Sequence, residues 1–185
     1  PAVPCISHAR RMWHPAAMRA DRPTFAALRT NALGIGLATG AYGLSFGAIG
    51  IASGLSTLQT QALSVLMFTG ASQFALVGVL GAGGGLLAAV LTAWFLGIRN
   101  GMYALHTAPL LQVRGWRRAV AAQLTIDEST GMALAQEDEP TAARYAFWAT
   151  GISVFVLWNI GTLLGALGAS MLSDPAMLGL AVAAT

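Results

Sequence analysis

Four stretches of this sequence, 32–55, 62–80, 86–111 and 146–172, are almost free of charge and approach or exceed the roughly 20 apolar residues that a membrane-spanning helix needs. A chain with that pattern must satisfy its backbone hydrogen bonds inside each segment, because lipid offers no partners. Composition agrees. Only 9% of the residues are charged, against about 25% in an ordinary soluble domain. The expected fold is an all-α, polytopic transmembrane helical bundle. A further apolar segment opens after Pro175 and stops with the sequence, so the bundle is expected to be truncated at its C-terminus. Residues 1–23 are polar, lack a continuous apolar core of the signal-peptide kind, and read as a cytoplasmic tail or an added remnant. Residues 24–185 then form a single transmembrane domain.

The net charge of +3 comes entirely from arginines, since the chain has no lysine. They cluster in short flanks, which is the pattern of the positive-inside rule and not of a phosphate-binding face. Arg10, Arg11, Arg19, Arg22 and Arg29 precede the first run and place the N-terminus in the cytoplasm. Arg114, Arg117 and Arg118 follow the third run and ask for the same side. Three full crossings would put them outside, so one of the first three runs is expected to be broken or re-entrant, as transporter helices can be. The glycine-dense first run and the 81–85 hinge after the second are the candidates.

A short similarity suggests an inverted repeat. Gly47-Ala-Ile-Gly-Ile-Ala-Ser53 resembles Gly165-Ala-Leu-Gly-Ala-Ser170, and Gly43 aligns with Gly161. With a crossing through 119–135, the first repeat covers about 32–111 and the second begins outside, near 146. Arg144 then stands at the outer side as a minor exception to the charge rule.

Asp127 and Glu128 are the sharpest chemical feature, because an ionised carboxylate in hydrocarbon normally faces a partner, a water-filled cavity or a transported proton. Thr125-Ile-Asp-Glu128 also fits a capping box with Thr125 as the cap, so the acids serve function, or a helix start, or both. Arg99 and Asn100 lie well inside the third run. Arg99, Tyr103 and His106 share one helix face, and Arg99 either snorkels to the surface or pairs with Asp127 or Glu128. Ser72 and Gln73, within Thr69-Gly-Ala-Ser-Gln-Phe74 of the second run, and Trp158-Asn159 in the fourth can bind substrate or serve packing and hydrogen bonds between helices. The Gly-x-x-x-Gly spacings at Gly36/Gly40, Gly43/Gly47 and Gly161/Gly165 read as helix packing. No zinc motif and no serine-centred protease motif occurs, and the single Cys5 allows no internal disulfide. The chain is read as a non-enzyme without cofactor or metal.

The motifs Tyr42-Gly-Leu-Ser-Phe-Gly47, Phe68-Thr-Gly-Ala-Ser-Gln-Phe74, Gly97-Ile-Arg-Asn-Gly-Met-Tyr103, Leu124-Thr-Ile-Asp-Glu-Ser129 and Leu157-Trp-Asn-Ile-Gly-Thr-Leu-Leu-Gly165 resemble, in order, those of the AzlC-type branched-chain amino acid permeases. That resemblance implies a multi-pass carrier of the bacterial inner membrane, exporting valine, leucine or isoleucine, with methionine a further candidate. It also implies a small AzlD-type membrane subunit as partner. For a zwitterionic substrate with an apolar tail, Asp127 is the candidate for the ammonium and the coupling proton. Arg99, Asn100 or a helix N-terminus is the candidate for the carboxylate, and Phe74, Trp94 and Tyr103 are candidate pocket walls. The competing expectations are a non-transporting assembly subunit and a passive pore for small solutes.

Overall fold

The computed structural model describes residues 24–173, and these are helical throughout apart from short connections. The order is α1 (Phe25–Ala52), α2 (Thr57–Leu66), α3 (Ala71–Gly81), α4 (Leu86–Leu111), α5 (Trp116–Gln123), α6 (Asp127–Leu134) and α7 (Pro140–Ser173). Three of them, α1, α4 and α7, are long and apolar enough to cross a membrane. The other four are short. At 1.5 Å per residue they reach about 12–16 Å, roughly half of a hydrocarbon core about 30 Å thick.

Local chemistry sets these lengths. Thr24 Oγ1 accepts the N–H of Ala27 and opens α1. Ser56 and Gln59 form a reciprocal capping box at the start of α2, with Ser56 N–H donating to Gln59 Oε1 at 2.8 Å and Gln59 N–H to Ser56 Oγ at 3.2 Å. Pro140 is the first residue of α7, where its missing N–H is no loss. The chain breaks between α2 and α3 at Gly70, whose φ of +58° and ψ of −82° a side-chain-bearing residue would rarely adopt.

Helices α1 and α7 form the spine, and they run parallel. Gly36 meets Ser153 and Leu157, Gly43 meets Trp158 and Thr162, and Gly47 meets Thr162 and Ala166. A Cβ on Gly43, Gly47, Gly161 or Gly165 would overlap backbone of the facing helix, so these positions let the two backbones touch. The similar segments 47–53 and 165–170 therefore lie on parallel helices packed along their length, and this pair is not related by inversion.

The inversion lies elsewhere. The α2–α3 hairpin leaves from the C-terminal end of α1 and returns there, because a Cβ on Gly81 would lie 2.7 Å from Ser53 Oγ. Helix α4 then runs the full length to the other end. There Arg144, in the first turns of α7, donates from Nε to the carbonyl of Leu110 at 2.8 Å, and Tyr145 packs its ring on Phe25 at the start of α1, with centroids 5.0 Å apart. The α5–α6 hairpin starts and finishes at this second end. The unit α1–α2–α3 is thus followed by an upside-down counterpart, α4–α5–α6, and α7 closes the bundle. The re-entrant segment expected before Arg114 is the second run. The stretch 119–135, expected to cross once, is a second re-entrant hairpin.

This topology removes the exception that Arg144 posed. Arg144 stands at the same end as α5, which begins among Arg114, Arg117 and Arg118, and as Arg29 in α1. Among the described residues, the opposite end, at 53–57, 81–86 and 173, carries no charge. The arginines 10, 11, 19 and 22 and the segment after Pro175 lie outside the described residues. The core between the spine and the hairpins is apolar and aromatic, with Phe46, Val77, Ala89 and Phe147 fully buried.

Candidate functional site

Both hairpins turn at the level of the middle of α7. Leu124, at the tip of the α5–α6 hairpin, packs on Gly151. Phe68, at the tip of the α2–α3 hairpin, sets its ring edge-on to Phe155 at 5.0 Å. Gln123 clasps the tips together by donating from Nε2 to the carbonyl of Val65 at 2.8 Å. That carbonyl belongs to the last turn of α2, which has no intrahelical partner to offer it.

Between the tips lies a cavity of about 310 Å³, lined by Phe68, Thr69, Gly70 and Ala71 from one hairpin, Ile126, Asp127 and Glu128 from the other, Arg99 from α4, and Val154 and Trp158 from α7. Its size lies at the lower end of the range for small-molecule sites. Each hairpin thus presents the start of its second half-helix to one space. Thr69 precedes the start of α3 as Thr125 precedes the start of α6.

Arg99 Nη2 and Asp127 Oδ2 are 2.9 Å apart, and both side chains remain partly open, at 40% and 46%. The internal ion pair expected as one alternative is therefore formed, and Arg99 does not snorkel to the surface. Glu128 is half-buried beside it and faces the same cavity. The expected Thr125–Glu128 capping box does not form. Thr125 Oγ1 turns back to donate to Ala121 O at 2.7 Å, and α6 begins one residue later than that box requires. Ser129 Oγ accepts the Ile126 N–H at 3.1 Å and donates to Leu124 O at 2.6 Å. The carboxylates of Asp127 and Glu128 occupy the first turn, where the helix dipole favours negative charge.

The remaining candidates divide. Gln73 is fully buried and donates from Nε2 to Leu63 O at 3.0 Å, bracing its own hairpin. Ser72 is buried against Gly97 of α4. Asn159 accepts from Gln61 Nε2 at 3.0 Å and donates to Phe155 O, so it ties α2 to α7. Phe74 packs behind the cavity, edge-on to Trp158 and Phe46. Asn100 is half-buried with a buried, unpartnered Oδ1, and neither it nor Tyr103 lines the cavity. Trp94, expected as a pocket wall, is 67% exposed on the outer face of α4. Helical spacing placed it near Arg99 in sequence but on another face.

Ile126 and Val154 also line the cavity, although nothing in the sequence singled them out. Thr69 and Trp158 face the cavity, yet Thr69 Oγ1 and Trp158 Nε1 are buried without a hydrogen-bond partner. The signal for Thr69 was present, since Thr-Gly before a run of small residues marks a helix start.

A family model described as AzlC protein matches residues 34–172, which takes in both hairpins, the ion pair and most of the spine. No curated protein and no solved structure matches the chain.

Proposed function

The chain belongs to the AzlC family, a family of membrane transport proteins, and on that premise we propose that it exports branched-chain amino acids from the bacterial cytoplasm. Valine, leucine and isoleucine are the substrates of this reading, with methionine a further candidate. The arginine-bearing end faces the cytoplasm in the bacterial inner membrane, as the positive-inside rule asks, and a small AzlD-type subunit completes the transporter.

One observation supports the reading above the others: the cavity where the two hairpins meet holds an ion pair and a second carboxylate at the level of mid-bundle. Charges at that depth are costly unless they serve a polar pathway. In this reading Asp127 and Glu128 attract the substrate ammonium and take the coupling proton. Phe68, Ile126 and Val154 face its branched tail. Export proceeds as the hairpin units rock against the α1–α7 spine and expose the cavity first to one end and then to the other.

The test is leucine and valine efflux from cells loaded with the matching dipeptides, expressing the intact protein with its small subunit. Wild-type efflux that collapses in Asp127→Asn at normal membrane abundance is the expected result. Absence of efflux from the wild type removes the substrate assignment. Efflux that ignores the proton gradient removes the coupling.

A further inference from the structure

The two half-helices that open onto the cavity are built alike and finished differently. At α6 the helix start is self-sufficient: Ser129 takes the N-cap N–H, and Asp127 and Glu128 set negative charge against the helix dipole. At α3 the cap is Gly70, with no side chain and no side-chain cap bond, and the first turn carries no acidic residue. The N–H groups of Ala71 and Ser72 have no acceptor within the helix. This start also keeps company with unused donors. Trp158 is 6% exposed, lines the cavity, and has a buried, unpartnered Nε1–H, and the hydroxyl of Thr69, another lining residue, is likewise buried and unpartnered. An indole N–H can only donate, and an orphaned buried donor calls for an acceptor. Arg99, the other cation of the site, is already held by Asp127 at 2.9 Å.

We propose that the cavity is electrically polarised along the line joining the two hairpin tips, and that it binds a zwitterion in one orientation. The carboxylate sits at the bare start of α3 and accepts from Trp158 Nε1–H, Thr69 Oγ1–H and the first-turn backbone. The ammonium faces Glu128 and the outer side of Asp127. Arg99 is a positioning residue that holds Asp127 in place and does not bind the carboxylate. This assignment rests on the reading of the cavity as the amino-acid site, and it names the residues that read each end of the substrate.

The experiment compares three probes on the full-length protein, with any subunit that co-purifies, in lipid nanodiscs: leucine, 3-methylbutylamine, which lacks the carboxylate, and 4-methylpentanoate, which lacks the ammonium. Trp158→Phe keeps the ring between Phe46 and Phe74 and removes the N–H. It is expected to weaken leucine and 4-methylpentanoate by roughly tenfold or more, the size of a hydrogen bond to a charged group, and to leave the amine unchanged. Thr69→Val is expected to act in the same direction. Glu128→Gln should do the reverse, weakening leucine and the amine and sparing 4-methylpentanoate. Equal loss of all three probes in Trp158→Phe means a packing role and overturns the proposal, as does no loss of any. No leucine binding to the wild type defeats the substrate reading beneath it, a result distinct from either.

Discussion

Arg99 Nη2 lies 2.9 Å from Asp127 Oδ2, which joins the middle of a full-length helix to the first residue of a half-length one. The contact is the charged link between α4 and the hairpin that follows it. Because both side chains remain partly open to the cavity, its worth as a salt bridge alone is discounted by solvent screening. Its larger effect is to neutralise two charges that would otherwise stand unpaired at depth.

Removing one partner should therefore cost more than removing both. Arg99→Gln and Asp127→Asn, taken singly, are expected to lower membrane abundance or thermal stability, and the Arg99→Gln/Asp127→Asn pair to recover much of the loss. Efflux should stay low in all three. Quantitative blotting and melting in detergent separate the two effects, and additive losses in the double variant would remove the pairing argument.

The contact between α1 and α7 predicts a sharp positional contrast. Gly47→Val inserts a side chain where Thr162 and Ala166 backbone already sits, so it should destabilise by at least about 1–3 kcal/mol, as overpacking does. Gly34→Ala meets nothing within 4 Å and should be neutral or slightly stabilising. Melting temperatures of the purified proteins decide it.

Hairpin topology is open to chemical labelling. With Cys5 replaced by Ser, single cysteines at Ser56 and Ala82 should react with an impermeant thiol reagent from one face of the membrane. Cysteines at Trp116 and Asp138 should react from the other. If Ser56 and Ala82, or Trp116 and Asp138, label from opposite faces, that hairpin is a full crossing; if Ala82 and Trp116 label from the same face, α4 does not cross; either result makes the inverted arrangement wrong.

Gln123 offers a test of how the tips are held. Gln123→Leu keeps the bulk and removes the donor to Val65 O, a bond worth about 1 kcal/mol net. Backbone amides around 66–70 should then exchange faster with deuterium, while α1 and α7 keep wild-type protection. An unchanged pattern would mean that the tips are fixed by packing on α7, of Phe68 on Phe155 and of Leu124 on Gly151.

Much of this arrangement was legible in the sequence, for reasons that hydropathy measures well. The run 86–111 coincides with α4 because an apolar stretch long enough to span has one economical conformation in lipid. The Arg99–Asp127 pair was foreseeable, since a charge inside such a run needs a partner. Direction was not legible. Hydropathy sees the second run as one segment because Met67 and Phe68 are apolar across the break, and only Gly70 betrays it. The similarity of 47–53 to 165–170 was read as a mark of inversion, although small residues recur there to bring two parallel backbones together. The cap at Thr125 failed because a capping pattern fixes a helix start to within a residue, and Ser129 won the competition. Trp158 was marked in the sequence together with Asn159, but its orphaned N–H was not legible, because whether an indole N–H finds a partner depends on neighbours remote in the chain.

Two hairpins that each stop halfway leave only their tips between the two ends of the bundle. Wherever water follows a hairpin in from its own side, the membrane voltage falls across those tips and not across the full thickness of the bilayer. A charge that moves a few ångströms past Phe68 and Leu124 would then traverse most of the field, at about 2.3 kcal/mol per elementary charge per 100 mV. A short stroke at such a constriction carries the electrical work of a complete crossing.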